Sequence, residues 1–154
     1  MARANSKMDQ LSDLLQESKI DHVLLTSLAS LRYFAGHTTA IETGPSPFSP
    51  LPGALAWIKS EEPILFLADS ESSEVVQSGI TCRSFPGYTY QSPLRALDEL
   101  TNLLASKFAG LPKSTVALEM GDLPAFILEK LSSGSPQLEF QDITTRLVEM
   151  VHQR

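Results

Sequence analysis

Hydrophobic residues along this chain follow two alternating patterns, which predict a succession of helices and strands. Near the N-terminus they recur every three or four positions with polar residues between them, the spacing of an amphipathic helix. These residues are Met8, Leu11, Leu14 and Leu15. Short runs with the character of strands follow, and the first of them, 22–26, is a continuous apolar run of the kind that forms a buried strand. The runs cover 22–26, 54–58, 64–68, 80–85, 115–118 and 137–140.

Helical spacing returns between these runs, over 27–34, 70–77, 92–110, 123–131 and 143–151. Strands that alternate with helices are typical of an α/β domain, so we expect a single mixed β-sheet with helices on both faces. The second and third runs are joined by a short link and predict a hairpin, which supplies the antiparallel part of the sheet. Because Trp57 alternates with Leu55 on its first strand, Trp57 is expected to be buried.

One segment breaks this alternation. Residues 36–52 contain four prolines, and they cannot form an interior helix or a central strand because proline lacks a backbone donor and fixes φ. The prolines are Pro45, Pro47, Pro50 and Pro52. Loops of this length are uncommon inside compact domains and are often functional. The segment is therefore the first candidate for a binding role.

Composition and charge narrow the class of protein. The chain has 154 residues, the size of one domain, and 12 Lys+Arg against 18 Asp+Glu give it a net charge of −6. An acidic balance without a basic stripe argues against nucleic acid and anionic membranes as partners. The single cysteine, Cys82, excludes an intramolecular disulfide. The polar N-terminus lacks the apolar core of a signal peptide, and no apolar run approaches the roughly 18 residues of a membrane span, so we expect a cytoplasmic domain.

The residue patterns of common active sites are missing from the sequence. It holds no glycine-rich phosphate loop, no G-x-S-x-G nucleophile elbow and no H-E-x-x-H zinc motif. Cys82 lies in a predicted strand and is interpreted as inert. Asp69 and Glu71 are expected to favour the N-terminus of a helix rather than to hold a metal ion. Glu119 and Asp122 follow a strand end, where sites of α/β proteins often lie, but Asp122 is expected to cap the helix after it.

The three histidines are scattered along the chain. His22 begins a strand and is interpreted as structural, whereas His152 lies in the last predicted helix. His37 opens the proline-rich segment beside Thr38 and Glu42, which makes it a candidate site residue. From the residues alone, the sequence predicts an α/β domain with one unusual loop and no catalytic group.

Residues 20–37, IDHVLLTSLASLRYFAGH, resemble the opening of the N-terminal domain of the creatinase/prolidase/aminopeptidase P family. Members typically have an amphipathic helix, a "giDalLl" strand and a short helix with the pattern n-[IL]-x-Y-[LF]-[TS]-G-[FH]. Residues 31–37, LRYFAGH, fill this pattern, with Ala35 in place of Ser or Thr. Three later segments also match the family in order and spacing: the hairpin 54–68, 115–119 (TVALE, similar to its "vgvE" strand) and 138–143 (LEFQDI).

The resemblance implies a ribonuclease-H-like α/β fold without catalytic residues of its own. In the family a C-terminal "pita-bread" domain follows, in which Asp, Asp, His, Glu and Glu hold two divalent metal ions (Mn, Zn or Co). That domain hydrolyses the bond before proline or, in creatinase, splits creatine. Residues 1–154 are accordingly interpreted as the N-terminal domain, with 1–5 disordered and the catalytic domain absent from this chain. No catalytic or metal-ligating residue is expected here.

The resemblance also implies a role for the proline-rich segment. In relatives the corresponding loop approaches the mouth of the active site, often that of the neighbouring subunit. His37, Thr38, Glu42 and Phe48 are therefore assigned to a substrate-access or subunit-contact loop. The implied partners are the chain's own C-terminal catalytic domain, a second copy in a homodimer, and a proline-containing peptide or creatine-like substrate of the full-length protein. Neither nucleic acid nor a membrane is expected as a partner.

Three functional hypotheses follow. The leading one is a non-catalytic N-terminal domain of an Xaa-Pro peptidase or creatinase-like metallohydrolase, which contributes to oligomerisation and substrate access. The second is a free-standing α/β module whose proline-rich loop binds a ligand or a protein. The third is a complete small hydrolase that uses Cys82, or Asp69 with Glu71.

Overall fold

Six strands form one mixed sheet in the computed structural model, which describes residues 6–36, 53–59, 61–68, 80–85 and 96–153. The strands are β1 (His22–Leu25), β2 (Gly53–Trp57), β3 (Ile64–Ala68), β4 (Thr81–Phe85), β5 (Ser114–Leu118) and β6 (Leu138–Asp142). Their order across the sheet is β4-β3-β2-β1-β5-β6. β2 runs antiparallel to β1 and β3, and the other neighbouring pairs are parallel. The predicted hairpin and mixed sheet are thus confirmed.

Helices cover both faces of the sheet, as predicted. One face carries α1 (Ser6–Ser18), α2 (Leu28–Ser30) with the π-helical turn that continues it (Leu31–Ala35), and α5 (Thr144–Gln153). The other face carries α3 (Ala96–Ala109) and α4 (Ala125–Gly134). The helix expected over 70–77 and the disorder expected at 1–5 lie outside the described residues. Among the described residues, no helix has both the length and the apolar character needed to cross a bilayer.

Alternate residues of each strand face opposite sides of the sheet, which gives the domain two hydrophobic cores. On β1, Val23 and Leu25 belong to the core shared with α1, the π-helical turn and α5. Leu24 belongs to the core on the other side, with α3 and α4. On β2, Leu55 and Ala56 divide between the two cores in the same way. Because both faces are covered, the central strands are mostly apolar, with their polar residues His22, Ser114 and Thr115 where β1 and β5 begin.

Two residues with left-handed backbone geometry end the helical segments of the first face. Gly36, with φ of 76°, closes the π-helical turn, as expected for a glycine. Lys19, with φ of 59°, closes α1. Its N–H donates to the carbonyl oxygen of Gln16 (3.2 Å), and the N–H of Ile20 donates to that of Leu15 (2.9 Å), which is the Schellman arrangement. A residue with a Cβ in this left-handed geometry lowers the stability of the fold by roughly 1 kcal/mol relative to glycine.

Trp57 and Cys82 are both half-buried. The expectation that Trp57 is buried is wrong, because Trp57 ends β2 at the edge of the sheet. Its indole packs partly on the first core, and its Nε1 donates to the carbonyl oxygen of Glu61 (3.0 Å).

Cys82 lies on the outermost strand, β4, where burial raises the pKa of its thiol. A raised pKa opposes a role as a nucleophile, because the thiolate is the reactive form.

Candidate functional site

The carboxyl edge of the sheet, where β1, β5 and β6 end, is where open α/β sheets usually bind ligands. β1 and β5 are parallel neighbours, but the chain continues from β1 to β2 on one side and from β5 to β6 on the other. Diverging connections of this kind leave a crevice between the two strand ends. The buried run that forms β5 ends at Leu118, and the next residue, Glu119, extends toward the segment that follows β1.

Glu119 is only 4% exposed, and its carboxylate accepts four hydrogen bonds from the segment that follows β1. Oε1 accepts the N–H groups of Thr26 (2.7 Å) and Ser27 (2.9 Å). Oε2 accepts the hydroxyl groups of Ser27 (2.8 Å) and Ser30 (2.6 Å). Ser27 Oγ also accepts the N–H of Ser30 (3.0 Å), so Ser27 caps the start of α2 as well. The carboxylate therefore closes the crevice by joining the ends of β1 and β5.

A second carboxylate, that of Asp142, joins the end of β6 to the turn after β5. It accepts the N–H groups of Met120 and Thr144 (both 3.0 Å) and the Thr144 hydroxyl (2.6 Å). The hydrogen bonds from Thr144 stabilise the charged form and lower the pKa of Asp142. Gly121 completes the contact, because its N–H donates to Thr144 Oγ1 (3.0 Å) and a Cβ there would lie only 3.0 Å from Thr144 Cγ2.

Asp122 does not cap α4, so that expectation is wrong. The N-cap of α4 is Pro124, and the N–H groups of Asp122 and Leu123 both donate to the carbonyl oxygen of Glu119 (2.9 and 2.8 Å). A turn over 119–123 therefore precedes the helix. Asp122 is exposed as a whole residue, but partial burial of its carboxyl group raises its pKa, and the charge of Glu119 acts in the same direction. Within the described residues, the buried hydroxyl oxygen of Thr26 has no hydrogen-bond partner.

These groups hold the described part of this edge of the sheet together. A carboxylate whose oxygens are engaged by donors of its own chain cannot take up a metal ion or a proton without losing those bonds. Glu119 is in that condition, because each of its two oxygens accepts two hydrogen bonds, whereas the three hydrogen bonds to Asp142 all reach Oδ1. Across the described ranges, no group of three or more His, Cys, Asp or Glu side chains is placed to share a metal ion.

Six residues singled out from the sequence lie outside the described part of the chain. They are His37, Thr38, Glu42 and Phe48 of the proline-rich segment, together with Asp69 and Glu71. The sequence did identify the strand-end position of Glu119, but Ser27 and Ser30 were missed. Two serines three residues apart after a strand are a signal for a capped helix. Nothing in the local sequence indicates that the partner of Ser27 is 92 residues away.

His22 has a structural role at the opposite, amino edge of the sheet, where β1 and β5 begin. It is buried, its Nδ1 accepts the N–H of Lys59 (3.0 Å), and its Nε2 lies 3.1 Å from Ser114 Oγ. The Ser114 hydroxyl donates to the carbonyl oxygen of Pro112 (2.7 Å), so Nε2 carries the proton and donates to Ser114. Burial lowers the pKa of His22 and favours this neutral form.

Comparison with known protein families gives one match. The family model described as the Creatinase/Prolidase N-terminal domain matches residues 7–151, which is nearly the whole chain. Among curated proteins, no sequence matches this chain.

Solved structures of prolidases and related dipeptidases share the fold. The prolidase from Pyrococcus horikoshii OT3 matches with a TM-score of 0.66 at 16% identity, over 95% of this chain and 35% of that one. A proline dipeptidase from Streptococcus pneumoniae TIGR4 matches with a TM-score of 0.66 at 19% identity, over 97% and 99% of the two chains. The N-terminal domain of an X-Pro dipeptidase from Streptococcus pyogenes matches with a TM-score of 0.64 at 12% identity, over 95% and 99%. This chain therefore spans about a third of the Pyrococcus prolidase and almost all of the two streptococcal chains.

Proposed function

This chain belongs to the creatinase/prolidase N-terminal domain family, and we propose that it serves as the non-catalytic N-terminal domain of an Xaa-Pro aminopeptidase, prolidase or creatinase-like metallohydrolase. Its partner would be its own C-terminal catalytic domain, and the full-length protein would act in the cytoplasm as a homodimer. The solved relatives support this proposal, because the Pyrococcus prolidase contains the same fold as one part of a longer chain.

The closed carboxyl edge is the observation that carries the non-catalytic assignment. Glu119 occupies the crevice in which an open α/β sheet would bind its ligand, and both carboxylate oxygens are engaged by Thr26, Ser27 and Ser30. A free catalytic carboxylate needs an oxygen that can reach the substrate. The role of Glu119 in the proposed function is to fix the two strand ends, so that the domain is a rigid support.

The chemistry would be metal-assisted hydrolysis in the catalytic domain, where two divalent ions (Mn, Zn or Co) supply Lewis acidity and a nucleophilic water. Within the part of this chain that the structure describes, no cluster of side chains fits those ions. The proposal therefore assigns no metal ligand to these residues. Substrates would be peptides with proline after the scissile bond, or a creatine-like molecule.

The proline-rich segment is proposed to shape substrate access or a subunit contact. The described chain stops at Gly36 and resumes at Gly53, the first residue of β2. Because β2 is antiparallel to β1, Gly53 lies at the same edge of the sheet as Glu119. The segment that carries His37 and Phe48 is thus attached at the edge where α/β domains usually meet ligands.

Two measurements test the domain assignment. The intact mass of the gene product in its source cells should be far above 16.8 kDa, and the full-length protein should hydrolyse Ala-Pro in a reaction that a chelator abolishes. The purified 154-residue chain should not hydrolyse Ala-Pro with Mn²⁺, Zn²⁺ or Co²⁺ present. Robust hydrolysis by that chain alone would overturn the proposal. A native mass of 16.8 kDa would favour a free-standing binding module instead.

Single substitutions in the full-length enzyme test the role of the segment. His37→Ala and Phe48→Ala should each raise KM for Ala-Pro several-fold while kcat changes less, or should shift the dimer toward monomer in sedimentation. Lys130→Ala on α4 is the matched control and should change neither quantity. If both segment variants keep the KM and the oligomeric mass of the native enzyme, the assignment of the segment is wrong.

A further inference from the structure

A cavity of about 520 Å³ lies at the amino edge of the sheet, on the opposite side from Glu119. It is bounded by the last turn of α1, the residues that lead into β1, and the end of β2. We name it the amino-edge cavity. Its apolar lining comes from Leu15, Ile20 and Trp57, and its charged lining from Lys19, Asp21 and Lys59. Its volume lies within the range of ~300–1,000 Å³ that is typical of small-molecule sites.

The charged groups of the amino-edge cavity do not cancel. Lys59 Nζ lies 3.7 Å from Asp21 Oδ1, while Asp21 Oδ2 accepts the N–H of Thr115 (3.1 Å). Within the described residues, no carboxylate forms an ion pair with Lys19. Two lysines and one aspartate leave a local excess of one positive charge in a chain whose net charge is −6. The cavity therefore favours a ligand that carries negative charge.

Both lysines are held at fixed backbone positions. Lys19 occupies the left-handed position that closes α1, at φ of 59°. The N–H of Lys59 donates to the buried ring of His22, which fixes where the Lys59 side chain begins. Glycine would relieve the strain at position 19, yet the sequence has a lysine there. Residues in strained backbone geometry concentrate at ligand sites, where the strain positions a functional side chain.

Trp57 provides the apolar wall. Its Nε1 is already bonded to the carbonyl oxygen of Glu61, so the exposed part of the indole offers its ring and not a donor. Leu15 and Ile20 are buried beside it and belong to the first hydrophobic core. A ligand in this cavity therefore meets a hydrocarbon surface on one side and an ammonium group at the rim.

We propose that the amino-edge cavity binds a small carboxylic acid with an apolar body. The body packs on Trp57 and Ile20, and the carboxylate faces the ammonium group of Lys19, with that of Lys59 nearby. The ligand should carry a single negative charge, because the carboxylate of Asp21 partly neutralises the ammonium group of Lys59. This site is separate from the carboxyl edge and does not depend on the role of the proline-rich segment.

Trp57 is the only tryptophan of the chain, so its fluorescence reports directly on the cavity. The probe is 3-cyclohexylpropionate, and 3-cyclohexylpropanamide is its neutral match. The acid should change the emission of Trp57 saturably, and the amide should bind at least about fivefold more weakly. Lys19→Met should raise Kd for the acid about fivefold and leave that for the amide unchanged. Lys130→Met, on the opposite face of the sheet, is the control and should bind like the native chain.

Lys19→Gly separates binding from stability, because it removes the ammonium group and the backbone strain together. Its Tm should rise by about 2 °C, while its Kd for the acid should rise as in Lys19→Met. The proposal is overturned if the acid gives no saturable change, if acid and amide bind equally, or if Lys19→Met keeps the native affinity.

Discussion

At the scale of single residues, the carboxylate of Glu119 joins parts of the chain that are far apart in sequence. It is 92 residues from Ser27 and 89 from Ser30, and each of its oxygens accepts two hydrogen bonds. A buried carboxylate of this kind is retained because its removal would leave buried donors without acceptors.

Substitutions at Glu119 should reveal this role. Glu119→Ala leaves two backbone N–H groups and two hydroxyl groups unpaired, so the free energy of unfolding should fall by about 3–5 kcal/mol. Glu119→Gln keeps one oxygen for the N–H groups of Thr26 and Ser27, so it should cost only about 1–2 kcal/mol. Urea unfolding measures both values. Glu139→Ala, on the exposed side of β6, is the matched control and should change stability by less than about 0.5 kcal/mol. Equal small losses at 119 and 139 would contradict this role of Glu119.

His22 should make the stability depend on pH. Burial lowers the pKa of His22 in the folded chain; Lys59 acts in the same direction, while Asp21 and Glu61 oppose it. Above the unfolded pKa of about 6.5, both states are neutral and the contribution of His22 is complete. As the pH falls below that value, the unfolded chain takes up the proton first, so stability falls until the pH reaches the lower, folded pKa.

The pH dependence is measured by urea unfolding between pH 7.5 and pH 5. The stability difference between the native chain and His22→Gln should shrink as the pH falls, because the variant lacks the titrating ring. A difference between the native chain and His22→Gln that stays constant with pH would show that the His22 ring contributes nothing to the dependence.

At the scale of elements, β3 and the π-helical turn lie so close to Gly53 of β2 that a side chain at this position would be crowded. A Cβ there would lie 3.2 Å from Leu67 Cδ2, 3.2 Å from the carbonyl oxygen of Phe66 and 3.3 Å from Leu31 Cδ1. Gly53→Ala should therefore destabilise the fold by about 1–3 kcal/mol in thermal or urea unfolding, because backbone and buried side chains must move.

Gly134, at the end of α4, is the matched comparison. A Cβ there would meet nothing within 4 Å, and alanine favours helical geometry over glycine. Gly134→Ala should leave stability unchanged or raise it by up to about 1 kcal/mol. If Gly53→Ala is as well tolerated as Gly134→Ala, the close approach of β3 and the π-helical turn to position 53 is not a constraint on the fold.

Element boundaries show where local sequence patterns are insufficient. The predicted helix over 123–131 ignored the turn that the carbonyl oxygen of Glu119 forms with Asp122 and Leu123, and α4 begins only after Pro124. Asp122 has the residue type of an N-cap, but this turn places it outside the helix. Trp57 has the alternation of a buried residue, but the strand ends there and its indole is left half-exposed.

At the scale of the whole molecule, both helical layers pack on the same sheet. If the helices of one core detach, they therefore expose strands that also form the other core. The 154-residue chain should therefore unfold in one cooperative transition. Trp57 fluorescence, which reports on one face, and far-UV circular dichroism, which reports on all helices, should give the same midpoint in urea. A fluorescence midpoint clearly below the dichroism midpoint would mean that the α1 side unfolds independently.

Local residue patterns are sufficient to predict the elements that depend on near neighbours. Amphipathic spacing identified α1, and apolar runs identified β1, β2 and β3, because these signals come from burial within a few residues. The ordered set of short motifs at 20–37, 54–68, 115–119 and 138–143 was also enough to indicate the family.

The sheet order, the partners of Glu119 and His22, and the amino-edge cavity depend instead on how distant parts of the chain pack together. β1 lies between β2 and β5, although more than 80 residues separate β1 from β5, and that placement depends on both hydrophobic cores closing at once. The acceptor of the Ser27 and Ser30 hydroxyl groups and the lysines of the cavity are brought together by the same packing. Contacts of this range leave no trace in local residue patterns, because the energy that selects them is shared over the whole core.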